Sequence, residues 1–268
     1  VAFASSAWDL VPGAVDQNRN SDVFLLDRNS GAVTLVSRAA TASLAASNGG
    51  STPTAISSDG EWLLFESTST NLVPGVLDPD AFGYDVFLFQ RSTGNVTLVS
   101  KAIGPELRVG NGQSTAAGMS ADGRWIVFNS NANDLVAGVT DGNGATDMFL
   151  YQRDAGTVTL LSRTASAPST AASVGGLAVS ISADGDWILF KSRSTDLLGG
   201  LVLPGGHDGL FLHQRSTGAV RLVSRSVGSP LVGADNYASP RGISADGEIV
   251  LFGSPASNLL SGVATQVG

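Results

Sequence analysis

The sequence predicts an all-β, repeat-built fold, and three observations carry that prediction. A thirteen-residue motif recurs four times, short apolar runs close on Asp-Gly turns, and no segment keeps a helical period. The motif is clearest at 118–130, GMSADGRWIVFNS, and returns at 55–67, 180–192 and 242–254. Its aspartates, Asp59, Asp122, Asp184 and Asp246, stand 63, 62 and 62 residues apart. Periods of this size belong to solenoids, propellers and bead-like arrays.

The stretch from Thr54 to Lys101 shows what one repeat contains. Ala55 to Ser57 is a short apolar run, strand A, closed by Asp59-Gly60, a dipeptide suited to the positive φ of a tight hairpin turn. Trp62 to Ser67 is mostly apolar and reads as strand B, buried on both faces. A long loop from Thr68 to Tyr84 leads to strand C, Val86 to Gln90. The turn Ser92-Thr93-Gly94 then leads to strand D, Val96 to Ser100. Four short strands joined mostly by hairpins describe a blade that hides its faces against its neighbours. A parallel β-helix has shorter coils, and a sandwich needs about seven strands per unit. The predicted fold class is a β-propeller of four-stranded antiparallel blades with about 62 residues per repeat.

The repeats fall at approximately 1–53, 54–116, 117–178, 179–240 and 241–268, in a single propeller. Phe3 aligns with Phe65 and Phe128, so Val1 falls inside a strand B; 258–262, NLLSG, matches 71–75, NLVPG. At least five consecutive blades are expected, the first lacking strand A and the last lacking strands C and D, in a fragment of a longer protein.

Composition narrows the chemistry. The net charge is −8 and Lys101 and Lys191 are the only lysines, which excludes the clustered cations of a nucleic-acid surface. No segment approaches the roughly 18 consecutive apolar residues of a spanning helix, so no membrane insertion is expected. Zero cysteines removes disulfides, thiolate metal sites and cysteine nucleophiles. The only histidines, His207 and His213, lie in the fourth repeat, where His213 takes the place of Leu26, Phe89 and Tyr151 as a structural substitution. No G-x-S-x-G elbow is present, and the prominent acids recur repeat after repeat, as structural residues do. A non-enzymatic chain with no catalytic residue is expected.

A four-stranded blade of the WD type needs ~40 to 45 residues, so about 20 residues per repeat must lie in loops. They sit in the B to C loop and in the D to A crossover at 39–53, 102–116, 164–177 and 226–240. Strands alternate direction, so both long connections emerge on one face and both short turns on the other. The expected interaction surface for a protein or glycan partner is therefore the long-loop face. Loop aromatics that could serve glycans are few: Trp8, Phe82, Tyr84 and Tyr237, none in register.

Two finer expectations follow. A C–D hairpin centred on Thr93 sets Phe87 opposite Val99 and Asp85 opposite Lys101. The same register pairs Asp22 with Arg38 and Asp147 with Arg163. The second expectation is a hard cation such as calcium in the third B to C loop, with Asp141, Asn143 and Asp147 as oxygen ligands on a glycine-permitted wrap. Related loops at 16–22 and 78–80 keep acids, whereas 203–206, LPGG, loses them; without a cation the same residues would cap turns on their own backbone amides.

The residues IS-x-DG at Ile56, Ile181 and Ile243, the (T/N)-(N/D)-L-(V/L) run after strand B, and DVF followed by (D/Q)R-x2-G and VS resemble the bacterial TolB-like, WD-type propeller repeats. The resemblance covers essentially the whole chain and implies an extracytoplasmic location: periplasmic, secreted or cell surface. It implies no particular chemistry; together with regular blades, acidic charge and the lack of a cofactor motif it favours a binding or scaffolding role. The alternatives are an accessory propeller of a larger hydrolase and a glycan-binding propeller.

Overall fold

The computed structural model of the chain describes residues 1–79 and 83–261. They form five antiparallel sheets in sequence order. The first holds β1 (Ala2–Ser5), β2 (Asp22–Leu26) and β3 (Val33–Leu35). The second holds β4 (Ser51–Ile56), β5 (Trp62–Ser67), β6 (Asp85–Gln90) and β7 (Val96–Leu98). The third holds β8 (Ser114–Met119), β9 (Trp125–Ser130), β10 (Asp147–Gln152) and β11 (Thr157–Leu160). The fourth holds β12 (Leu177–Ile181), β13 (Trp187–Ser192), β14 (Gly209–Gln214) and β15 (Val220–Leu222), and the fifth β16 (Ser239–Ile243) and β17 (Val250–Gly253). The architecture is all-β and multi-sheet, consistent with a propeller-like fold.

The core lies between consecutive sheets rather than within a closed shell. Val23, Leu25 and Val36 of the first sheet pack with Leu63, Phe65 and Phe87 of the second. Leu64, Val86 and Leu88 pack with Phe128, Phe149 and Leu160 of the third. Val127, Met148 and Leu150 pack with Phe190, Phe211 and Leu222 of the fourth. In the second, third and fourth sheets both faces of strands B and C are thereby covered, which is why these strands are almost continuously apolar. In each of the first four sheets the B and C strands also stack one phenylalanine pair, as in Phe65 on Phe87 with centroids 5.6 Å apart and Phe190 on Phe211 at 5.1 Å. Such pairs contribute about 0.5–1.5 kcal/mol beyond the area they bury.

Two details differ from the sequence reading. Strand A starts at Ser51 rather than Ala55, and its ladder slips by one residue between Pro53 and Ala55. Equivalent bulges occur at Ala116/Gly118, Ala178/Ser180 and Pro240/Gly242, so an alternation test misses the first half of the strand. The C–D register is also corrected: Phe87 faces Leu98, not Val99. The turn holds four residues, Arg91 to Gly94, closed by Gln90 N–H on Asn95 O at 2.9 Å, and an even loop cannot be centred on Thr93. The slip of one residue takes Asp22, Asp85 and Asp147 away from Arg38, Lys101 and Arg163 and gives each a serine instead.

On the short-turn face the sheets interlock. Ser58 N–H donates to Ala121 O, Ala121 N–H to Ala183 O, and Ala183 N–H to Ala245 O, at 2.7, 2.8 and 2.9 Å. The Asp-Gly turns at Gly123, Gly185 and Gly247 also lie on the preceding sheet's tryptophan, Trp62, Trp125 and Trp187: a Cβ on Gly185 (φ +73°) would fall 2.5 Å from the Trp125 ring. Glycine is needed there twice over, for the left-handed backbone and for the close approach. Arg153 and Arg215 cover Trp62 and Trp125, 4.2 and 4.1 Å from the ring centroids.

Candidate functional site

The long-loop face is held by a recurring set of backbone bonds. In each of the first four repeats the B to C loop meets the D to A crossover in a parallel bridge: Val15 with Ala45, Leu77 with Arg108, Thr140 with Thr170, and Val202 with Val232. The N/D-L element of the repeat motif ties one repeat to the previous one. Ala40, Ile103, Ala165 and Val227 N–H donate to the main-chain oxygens of Asn71, Asp134, Asp196 and Asn258, each at 2.8 Å. The same four side chains accept from Asn48, Asn111, Ser173 and Asp235 N–H. Most of the crossover's polar backbone is thus satisfied internally, and the loops form a fixed surface rather than a set of free arms.

That surface carries exposed apolar pairs in register. Val15 and Leu44 are 51% and 48% exposed, Leu77 and Leu107 are 52% and 38%, and Val202 and Leu231 are 53% and 37%. Within each pair a main-chain bond joins the two residues, such as Leu77 N–H on Leu107 O at 2.9 Å. The third repeat breaks the series with Thr140 and Ser169. Of the loop aromatics, Trp8 and Tyr237 are exposed and stand singly, Tyr84 is half-buried, and Phe82 lies outside the described residues, as does Asp80.

Of the candidate cation ligands, Asn143 and Asp147 meet at the start of β10 in a hydrogen-bonded unit, which Asp141 joins only through its nearby charge. Asn143 Nδ2 donates to Asp147 Oδ2 at 2.9 Å and to Ala172 O at 2.7 Å, while Asn143 Oδ1 accepts from Ala145 N–H at 2.6 Å. Asp147 Oδ1 accepts from Ser162 Oγ at 2.5 Å. The first repeat repeats the plan: Asn18 Nδ2 donates to Ser47 O at 2.6 Å, Asn18 Oδ1 accepts from Asn20 N–H at 2.5 Å, and Ser37 Oγ donates to Asp22 Oδ1 at 2.7 Å. Burial pushes the carboxyls of Asp22 and Asp147 up to about 6; the serine hydrogen bonds oppose that rise, and the nearby Asp16 and Asp141 charges add to it.

The serine of the VS element is the residue that sequence reasoning missed. Ser37, Ser100, Ser162 and Ser224 are fully buried, and each hydroxyl accepts the first inward N–H of strand C, from Val23, Val86, Met148 and Leu210. Its recurrence in the same place of every repeat was the signal. In the fourth repeat the carboxylate is replaced by Gly209, and Leu203 and the Phe211 ring close in on the space a Cβ would take.

The histidines assemble no nucleophilic site. His213 is buried on β14, its Nδ1 has no hydrogen-bond partner, and burial holds its pKa down at about 4, with Arg163 adding to the depression. Among the described residues no serine or threonine hydroxyl bonds either histidine, and no group of three His, Cys, Asp or Glu side chains is arranged to hold a metal.

No family model matches the chain, and no curated protein matches it. Among solved structures it is similar to TolB from Acinetobacter baumannii, with 19% identity, a TM-score of 0.42, and 90% of this chain aligned to 50% of that one. It is also similar to a putative TolB from Agrobacterium tumefaciens, with 17% identity, a TM-score of 0.44, and coverage of 87% and 62%. A prolyl endopeptidase aligns at 13% identity with a TM-score of 0.46, covering 83% of this chain and 28% of that one. The chain spans 50% and 62% of the length of the two TolB structures.

Proposed function

We propose that the chain is a non-catalytic, extracytoplasmic binding or scaffolding module of the β-propeller type, and that it docks a protein partner on its long-loop face. The carrying observation is the row of exposed apolar pairs, Val15/Leu44, Leu77/Leu107 and Val202/Leu231, on loops whose backbone is held in place. Rigid loops presenting aligned apolar side chains lose little conformational freedom on binding, and exposed apolar groups that recur in register mark an interaction surface. The test is in-cell cross-linking of the protein, comparing the wild type with a Leu77→Asp/Leu107→Asp variant of unchanged melting temperature. Loss of one defined cross-linked partner in the variant supports the reading; an identical partner profile refutes it.

The cation at Asp141, Asn143 and Asp147 is a separate proposal. It requires a calcium-dependent rise in melting temperature after chelation, abolished by Asp141→Ala. The Asx-turn arrangement accounts for the same residues without a metal and predicts no rise.

A further inference from the structure

At the end of strand D each of the first four repeats carries a cation: Arg38, Lys101, Arg163 and Arg225. In the first seam the arginine spans to the C–D turn of the next sheet, where Arg38 Nη2 donates to Gly94 O at 2.6 Å. In the third seam Arg163 lies over the equivalent glycine, its Nη2 3.3 Å from where a Cβ on Gly218 would stand. The second seam has the shorter Lys101, and a Cβ on Gly156 would meet nothing within 4 Å. The strap seen at the neighbouring seams is missing here.

An open cleft takes its place. One part, of about 300 Å³, is lined by Val96, Leu98, Leu107, Val158, Tyr151 and Lys101. A second part, of about 270 Å³, is lined by residues that include Ile103, Leu135 and Val136 and shares Lys101, Gly156 and Val158 with the first. Four lining residues have polar side-chain groups, Lys101, Tyr151, Thr97 and Thr157, and of these Lys101 alone is charged. Lys101 has no acid within salt-bridge reach among the described residues. Tyr151 is 6% exposed, and its hydroxyl has no hydrogen-bond partner among them. The other repeats place Leu26, Phe89 and His213 at that position, so the phenol is particular to this seam.

We propose that this cleft binds a medium-chain aliphatic carboxylate, the chain lying along the valine and leucine walls and the carboxylate meeting Lys101 and Tyr151. An apolar cleft with a few convergent polar groups has the composition of a small-molecule site. A lone cation on a chain of net charge −8 selects an acid over a neutral amphiphile of the same length. The cleft shares Leu107 with the long-loop face, but the carboxylate reading does not rest on a partner docking there, and octanoate titration tests it apart from partner cross-linking.

The experiment is calorimetric titration of octanoate into the protein, with octan-1-ol as the neutral control. Octanoate should bind and octanol should bind at least tenfold more weakly, the worth of one hydrogen bond to a charged group. Lys101→Met should lower octanoate affinity about tenfold or more, and Tyr151→Phe by several-fold. The decisive variant is Lys101→Arg: it keeps the charge but restores the strap onto Gly156 O, so it should abolish binding. Equal binding of octanol, no change in Lys101→Met, undiminished binding in Lys101→Arg, or no octanoate binding to the wild type would each overturn the proposal. Melting temperatures of all three variants establish that each is folded.

Discussion

Replacing Asp22 with asparagine should stabilise the protein at neutral pH and cease to do so in acid. The carboxylate is 2% exposed, receives one hydroxyl hydrogen bond from Ser37, and has no cation within salt-bridge reach among the described residues. Burial raises its pKa from 3.8 to about 6, so the folded state holds this proton more tightly than the unfolded chain does. Between about pH 4 and pH 6 the folded state therefore carries more protons, and stability falls as pH rises through that window. A shift of about two units corresponds to about 3 kcal/mol at most. Asparagine keeps the shape and a hydrogen-bonding group for Ser37 but never ionises. Asp22→Asn should thus gain about 1–3 kcal/mol at pH 7.5 and nothing at pH 4. The assay is urea unfolding at pH 4, 5, 6 and 7.5, comparing midpoints at constant m. A variant destabilised equally at every pH would refute the reasoning, because it would mean that the ionised carboxylate is favourably solvated where it sits.

The remaining predictions concern the repeat's fixed points. Gly185→Ala should cost more than about 2 kcal/mol, since it combines the left-handed penalty with a clash against Trp125; Gly138→Ala, with a similar φ of +73° but open space, should lose only the backbone part, about 1–2 kcal/mol, and equal melting temperatures would contradict this. Ser100→Ala should cost about 2–4 kcal/mol in chemical unfolding, because it strands the Val86 N–H (3.0 Å) and strips Asp85 of a donor (2.8 Å). Ala116→Pro should be markedly less harmful in a Glu66→Ala background than alone, and a double-mutant cycle with no coupling would argue against a bond between Glu66 and the Ala116 N–H.

The multi-sheet architecture was legible because its signals repeat: four Asp-Gly turns, four apolar B strands and a fixed period reinforce one another across the chain. The strand A entry and the C–D register were not, and both failures have the same origin. A bulge and a four-residue turn each shift pairing by one residue, a difference that apolar alternation cannot register when strands are buried on both faces. The Asp22 to Arg38 pairing inherited that error. Aspartate and arginine suggested charge complementarity, whereas the structure turns the carboxylate inward onto Ser37, a residue too ordinary in sequence to attract notice. The exposed apolar pairs of the loops were equally silent, since valine and leucine in a crossover read as core until the loop's path is known.

One correlation across the seams was present in the sequence but needed the structure to be read. The residue after the strand B phenylalanine is Ala4, Glu66, Asn129 and Lys191, and the residue at the bulge of the next strand A is Pro53, Ala116, Ala178 and Pro240. Glu66 accepts from Ala116 N–H at 3.2 Å and Asn129 Oδ1 from Ala178 N–H at 2.8 Å. Alanine and lysine side chains can accept nothing, and opposite each of them stands a proline, which has no N–H to satisfy. A backbone donor is present at the bulge only where its seam supplies an acceptor, as the cost of an unpaired amide demands. Each seam is therefore specified separately, and the repeats are not interchangeable parts. Seam-by-seam variation of this kind is what lets one junction differ from its neighbours without loss of the array: the second seam keeps its Glu66 to Ala116 bond on strands B and A while its outer strand, with Lys101 short of Gly156, leaves an opening.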